Sequence, residues 1–423
     1  MNEAAMNQNS CASPSSGALE GILVLEIAGA AVQYCGKMFA DLGADVILIE
    51  PPGGASTREA APFLEGTLDD DGQSVRSLPF VYLNTGKKSV TLDLQTAEGR
   101  ASLHRLAAHA DLLIEGGRPG ELAAAGCSYE SLSASNPALV MTSITPYGQT
   151  GPYSSHEAED LVCMATGGFL YLGGYPDTPP IGAYGNQAYF CGSMFGAVAS
   201  MLALTRAEAT GQGDHVDVSI QECMVLAMEN AVQFYELEGT LRRRTAGLQR
   251  FAGTGVYACA DGYIYMMAGG IGANRFWDRT IEWLKEEGVP GVERLYGDAW
   301  SKTAYLQSDE AKRIFMEVFG EWAGKKTKAY LYAAAQDRHV PAAAINAVDD
   351  LVASPQLAAR QYFSEINQPG WPRPALIPGP PYQLTRTPWA LRRPAPFPGQ
   401  HNDEIFRALK NRPQRRHDKE EIQ

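Results

Sequence analysis

The sequence predicts an α/β protein: a doubly wound, largely parallel sheet followed by a smaller α+β domain. Three observations carry this reading. Through the first half of the chain, apolar runs of strand length alternate with stretches of helical periodicity. Glycine or proline punctuates most of the changes from one to the next. Near residue 245 the texture shifts to a hairpin-like pattern followed by amphipathic helices.

Taken in order, ordered structure is expected from Leu19. GILVLEIAG reads as a buried strand bounded by glycine, AVQYCGKMFADLG as a helix stopped by Gly43, and ADVILIEPPGG as a second strand closed by Pro51, Pro52, Gly53 and Gly54. That β-α-β unit has a right-handed crossover. A further cycle follows, with SVTLDL as strand, TAEGRASLHRLAAHA as helix and DLLIEGG as strand, after which NPALVMTSITPYG adds another strand. The small-residue segment from Ser193 to Ala207 is helical and ends at TGQG. HVDVSI is a strand and QECMVLAMENAVQFYELEG one long helix. YACADGYIYMMAGG is an antiparallel hairpin, and QPGWPRPALIPGPPYQ an extended, proline-rich linker. The resulting division is a tail over 1–18, a large domain over 19–224 plus 383–410, a linker helix over 225–244, a small domain over 245–352, a linker over 353–382 and a charged tail over 411–423.

Composition narrows the function classes. The chain has 423 residues, enough for two domains, and a net charge of −13. Such an acidic balance disfavours nucleic acid. By this reading no apolar run reaches the roughly 18 residues of a membrane span, and residues 1–18 lack an export signal. Seven scattered cysteines without a CxxC pair, and seven dispersed histidines, fit a reducing cytoplasm and offer no metal site.

Ligands of open α/β sheets bind beyond the carboxyl ends of the strands. Those ends are IAGAA, EPPGG, DLQ, EGGRPG and ITPYGQTGPY, where Gly29, Gly53, Gly54, Gly116 and Gly117 either let backbone amides approach an anion or simply make turns. The GxGxxG fingerprint is absent, although Glu50 stands 21 residues after Gly29, near where a ribose-binding acid would sit. Glu159 and Asp160 open an apolar segment, either as helix-capping acids or as a carboxylate beside a pocket. Arg242, Arg243 and Arg244 form a basic run, either a solvated face or a phosphate site. Tyr34, Tyr147, Tyr153, Tyr184 and Tyr189 gather near the proposed loops, as packing residues or pocket walls.

Several strings then point further. LEGILVLEIAG…ADLGADVILIEPPGG, NTGKKSVTLDLQTAEGR, ADLLIEGGRPGELAAAG, NPALVMTSITPYGQTGPY, TGQGDHVDVSIQE, VPAAAINAVDDLVASPQLAARQYF and FPGQHNDEIFRAL stand in the order in which they occur in the family III CoA-transferases, which the chain resembles from Leu19 to Leu409. The resemblance implies a Rossmann-like large domain, a small domain, and two protomers threaded together as an interlocked dimer. It implies transfer of coenzyme A between two carboxylic acids through an aspartyl-CoA thioester, with no metal. It places nucleotide contacts at Ala30 and Ala31, at Leu92, Asp93, Leu94 and Gln95, and at Gly116, Gly117 and Arg118. A basic residue of relatives matches Ala124, which thins the expected phosphate contacts, and TAGLQRFAGTG is the nearest counterpart of a shielding glycine loop.

One departure matters more. Matching PDTPPIGAYGNQAYFCGSMFGAVASMLALTRAEATGQG to the family pattern puts Tyr189 at the position of the nucleophilic Asp, and no Asp or Glu lies between Asp177 and Glu208. Glu159 falls on the family's second active-site acid, where the racemases carry His, so a racemase is disfavoured. The resemblance is to the benzylsuccinate type, in which one subunit keeps the Asp and the other does not. Three expectations follow: a subunit of a heteromer with an Asp-bearing paralogue, a self-sufficient homodimeric transferase using Glu159 or Asp160, or a non-catalytic acyl-CoA-binding protein. A nicotinamide-dependent oxidoreductase is a distant fourth.

Overall fold

The computed structural model describes residues 17–64, 75–269 and 275–411. The tails expected over 1–18 and 411–423 lie almost wholly outside them. The chain forms two compact units. The first takes the described residues up to Leu170, Ala183–Gln233 and those from Ala358 onward; the second takes Tyr171–Gly182 and Phe234–Leu357.

The first unit is the doubly wound sheet. Its elements run β1 (Leu23–Ile27), α1 (Gln33–Asp41), β2 (Asp45–Glu50), α2 (Leu78–Asn84), β3 (Lys88–Thr91), α3 (Ala97–Ala107), β4 (Leu112–Glu115), α4 (Glu121–Ala124), α5 (Tyr129–Ser133), β5 (Val140–Thr145), α6 (Asp160–Thr166), α7 (Gln187–Thr210), β6 (His215–Ser219) and α8 (Ile220–Ala227). The strand order is β3-β2-β1-β4-β5-β6 and every pairing is parallel. Alternation along β1 sends Val24 to the core beneath α1 and α7, and Leu23 and Leu25 to the opposite core with Leu103, Leu106 and Leu113. Burying each such side chain contributes about 1.5–3 kcal/mol, so both faces of the sheet are held by apolar packing.

Two buried ion pairs lie within this core. Lys87 Nζ lies 2.7 Å from Glu26 Oε2, both side chains are fully buried, and Lys87 also donates to the Gln33 carbonyl at 2.9 Å. A neighbouring buried pair, Lys37–Asp41, closes at 2.9 Å. Gly36 on α1 is required by this arrangement: a Cβ there would sit 1.6 Å from Glu26 Oε2.

The free edge of β3 is covered by the end of the chain. Ser89 N–H donates to His401 Nδ1 at 3.1 Å, His401 N–H donates to the Ser89 carbonyl at 2.9 Å, and Thr91 N–H donates to Asn402 Oδ1 at 2.9 Å. His401 is therefore an acceptor at Nδ1, and burial lowers its basicity in keeping with that role.

Three segments differ from expectation. The single long helix after β6 is two, α8 and α9 (Ala231–Glu238), because Glu229 takes a left-handed φ of 53° between them. Helix α7 begins at Gln187, six residues before Ser193, and ends at Gly211 with φ 70°. It spans 24 residues and is long and apolar enough, by length and composition only, to match a membrane span, contrary to the expectation that no run would reach that length. Its Gly192, Gly196, Ala197 and Ser200 side is buried.

The second unit carries β7 (Thr254–Cys259), β8 (Gly262–Met267) and β9 (Ala342–Ile345) as an antiparallel sheet. Helix α10 (Arg275–Glu286) and shorter helices accompany it. Its core holds an aromatic cluster: Trp277 stacks on Trp300 at 4.9 Å, and Trp283, Phe315, Phe319 and Trp322 pack with aliphatic residues such as Ile264, Leu284 and Leu331. Back in the first unit, β10 (Phe363–Ile366) pairs antiparallel with β11 (Ala375–Pro378). The third difference lies here: the proline-rich segment read as a linker contains a strand, with Pro378 at its end, where a missing N–H is tolerated.

Candidate active site

The sheet reverses its winding between β1 and β4, so the crevice for a ligand opens past Ile27 and Glu115. The turn after β1 exposes Ala30 and leaves Ala31 half-buried, with the Ala31 carbonyl accepting from Ser193 Oγ at 2.7 Å. Gly116 must be glycine, since a Cβ would lie 2.8 Å from Val32 Cγ1 and 3.1 Å from the Ile144 carbonyl.

Two of the amides expected near an anion are already engaged. Gly117 N–H donates to Glu115 Oε2 at 2.8 Å, and Arg118 N–H to Glu121 Oε2 at 3.1 Å. Burial raises the Glu115 carboxyl above its usual range, while Ser143 and the Gly117 amide draw it back down. The Arg118 guanidinium pairs with Glu157, and both are largely exposed. On the other side of β1, Leu92 is buried, and Asp93 Oδ1 accepts the Gln95 N–H at 2.9 Å in a turn that leads into α3. Of that group, Gln95 is exposed and Asp93 and Leu94 are half-buried.

Glu50 is fully used by its own surroundings. Its carboxylate takes Arg58 at 2.6 Å, Ser89 Oγ at 2.6 Å and the Ala55 N–H at 2.9 Å. It closes the turn after β2, so the ribose-binding reading of its spacing has no free acceptor behind it. Arg244 likewise matches neither reading of the basic run. Its fork donates to the carbonyls of Tyr175 and Thr178 at 2.7 Å each, and to that of Tyr171 at 3.4 Å.

Glu159, Asp160 and Tyr189 are brought together. Glu159 is the exposed N-cap residue of α6, and its side chain makes no capping bond. Asp160 is buried, and its Oδ1 accepts the Tyr189 N–H at 2.8 Å, with the Ala188 amide also donating to the carboxylate. A carboxylate from α6 thus caps the first turn of α7, where N–H groups lack helical partners. Tyr189 is the third residue of α7, not a loop residue ahead of it. Burial, with Cys163, Asp160 and Glu159 close by, pushes its phenol up to about 12, so the hydroxyl is neutral at physiological pH.

Tyr189 lines a cavity of about 50 Å³ with Ala30, Gln33, Tyr34, Phe80, Asn186 and Phe190. Tyr34 and Phe190 lie 4.4 Å apart, ring to ring. Sequence reasoning missed Gln33 and Asn84, whose side chains bond at 2.7 Å behind this wall. No local pattern announces a bond between residues so far apart.

Comparison with known proteins decides the class. The sequence model of "CoA-transferase family III" matches residues 19–402. The chain belongs to CoA-transferase family III. Among curated relatives of this family III CoA-transferase, subunit BbsE of the succinyl-CoA:(R)-benzylsuccinate CoA-transferase of Thauera aromatica is 39% identical over 385 residues, covering 90% of this chain and 92% of that one. The succinyl-CoA–D-citramalate CoA-transferase of Chloroflexus aurantiacus is 32% identical, covering 92% of this chain and 94% of the relative. A solved CAIB/BAIF family protein of Brucella suis superposes with a TM-score of 0.81 at 28% identity, over 93% of this chain and all of the other. The α/β fold and the transferase class expected from the sequence therefore hold, and coenzyme A is a substrate of the reaction class.

Proposed function

We infer that this chain is the subunit without the attacking carboxylate in a heteromeric CoA-transferase, acting in the cytoplasm on an aromatic or otherwise bulky acid. The observation that carries the reading is Tyr189, a neutral phenol in the first turn of α7; the family resemblance matches this position to the nucleophilic Asp. Relatives described as alpha and beta subunits of a succinyl-CoA–L-malate CoA-transferase, and as one subunit of a benzylsuccinate transferase, support a paired assembly. The outward side of α7 supports it too, with Met194, Phe195, Val198 and Leu202 exposed. The relatives named above act on succinyl-CoA with benzylsuccinate, citramalate or malate, so the acceptor proposed here is a dicarboxylic acid.

The chemistry assigns the covalent steps to an Asp on a paralogous partner. That carboxylate attacks the succinyl-CoA carbonyl, giving a mixed anhydride and CoA thiolate. The thiolate then attacks the aspartyl carbonyl, releasing succinate and leaving aspartyl-CoA. The acceptor carboxylate repeats the sequence in reverse, so each thioester broken is matched by one formed. This chain's part is to shape the crevice and exclude water.

A second reading keeps the chemistry on this chain. Glu159 is an exposed carboxylate with no capping bond, whereas Asp160 is committed to α7, so Glu159 is the relocated nucleophile in that case. Incubating the purified chain with succinyl-CoA, trapping with hydroxylamine or borohydride and mapping by mass spectrometry separates the two. An adduct at Glu159 overturns the paired-subunit reading. No adduct, with transfer appearing only when an Asp-bearing paralogue is co-purified, upholds it.

A further inference from the structure

The basic run after α9 holds three consecutive guanidinium groups in a chain of net charge −13. Among the described residues none of the three has a carboxylate within ion-pair distance, although other cations of the second unit do, such as Arg294 with Glu317 and Arg338 with Glu286. The three differ in what they do. Arg244 spends its fork on main-chain carbonyls and fixes the segment from Tyr171 to Thr178. Arg242 lies over the Phe234 ring, 3.4 Å from its centroid, and is exposed together with Arg243.

A guanidinium held over an aromatic ring is restrained by cation–π attraction while its N–H groups remain free to donate. A restrained planar fork favours bidentate recognition of an oxyanion. Because the face is occupied by the ring, little side-chain entropy remains to be lost when an anion binds the edge. Arg244 meanwhile ties the adjoining backbone in place, which fixes the base from which Arg242 and Arg243 project.

From this geometry we propose an oxyanion-binding site in the second unit, built by Arg242 and Arg243. The proposal rests on the transferase reading for its ligand. A dicarboxylic acceptor has one carboxylate that reacts and one that must be recognised without reacting; CoA offers phosphates of the same chemistry. The distal carboxylate and the nucleotide phosphate are the two sources, and the experiment tells them apart.

The full-length chain, wild type and Arg242→Gln/Arg243→Gln, is titrated calorimetrically with succinate and butyrate, and with CoA and dephospho-CoA. If the site takes the distal carboxylate, wild type binds succinate at least about tenfold tighter than butyrate, and the double variant loses that preference. If it takes a phosphate, the preference for CoA over dephospho-CoA is what disappears. Both preferences surviving unchanged, or neither existing in wild type, overturns the proposal. Unchanged melting of the double variant, whose two side chains are exposed, excludes misfolding as the cause. The transferase reading fails by a different route, the absence of any transfer with an Asp-bearing partner, and oxyanion binding by this chain does not depend on that result.

Discussion

Asp160 and Tyr189 are joined by one hydrogen bond, from the Tyr189 main-chain N–H to Asp160 Oδ1 at 2.8 Å. The bond ties the first residue of α6 to the first turn of α7, and it decides what Asp160 is for. Burial raises its carboxyl, while the Tyr189 and Ala188 amides pull in the opposite direction by favouring the charged form. Asp160→Ala is expected to destabilise the chain by about 1–2 kcal/mol, read as a lower melting temperature. Asp160→Asn keeps an acceptor oxygen and retains most of that stability.

Placing a carboxylate at position 189 tests directly the proposal that Tyr189 stands where the family's Asp attacks. Tyr189→Asp is expected to yield a hydroxylamine-sensitive CoA adduct at position 189 after incubation with succinyl-CoA, where wild type gives none there. Peptide mass mapping reads the result. An unmodified carboxylate at that position would show that the surrounding crevice no longer presents a thioester to it.

Gly36 and Glu26 cannot both keep their places once a methyl group is added. Gly36→Ala drives a Cβ into Glu26 Oε2 and prises it from Lys87, so a loss of at least ~3 kcal/mol is expected. Calorimetric melting, or failure to obtain soluble protein, measures it.

Glu26 also predicts a pH dependence. Desolvation raises its carboxyl from the usual 4.5 to about 7, with Lys87 opposing the rise. A folded value above the unfolded one means that the folded state holds the proton more tightly. The contribution is therefore full below about pH 4.5 and is lost as pH climbs through 7. Glu26→Gln removes that component, so the difference in melting temperature between wild type and variant should change across this window and flatten above it.

Arg118 and Glu157 form an exposed pair worth less than about 1 kcal/mol to stability. Arg118→Gln is expected to leave melting unchanged. If the loop after β4 meets CoA as the family resemblance implies, the variant weakens CoA affinity severalfold in an equilibrium titration, and the loss is attributable to the ligand alone.

Much of the fold was legible because interior strands of a parallel sheet are continuous apolar runs. LVLEI, DVILIE and VMTSIT announce themselves without help from neighbours. The break between α8 and α9 was not legible, since Glu229 takes a left-handed conformation that its side chain does not advertise. Nor was the true start of α7, because Gln187, Ala188 and Tyr189 show no helical periodicity; the distant Asp160 carboxylate is what completes that turn. Strand β11 was hidden by flanking prolines. At the candidate site, ordered motifs pointed to the loops to consider, but which amides and carboxylates were already satisfied depended on side chains meeting across the fold, as with Glu50 and Arg58.

The cover over β3 has a bearing on how the molecule is made. His401 and Asn402 supply to Ser89 and Thr91 the hydrogen bonds that a seventh strand would otherwise give. A ribosome releases all six strands long before it reaches those two residues. Throughout that interval the nascent sheet exposes an unpaired margin, open to another chain. This segment therefore acts as a seal applied after the sheet is made, and truncations short of His401 should be caught by chaperones or aggregate during synthesis, even with every strand of the sheet present.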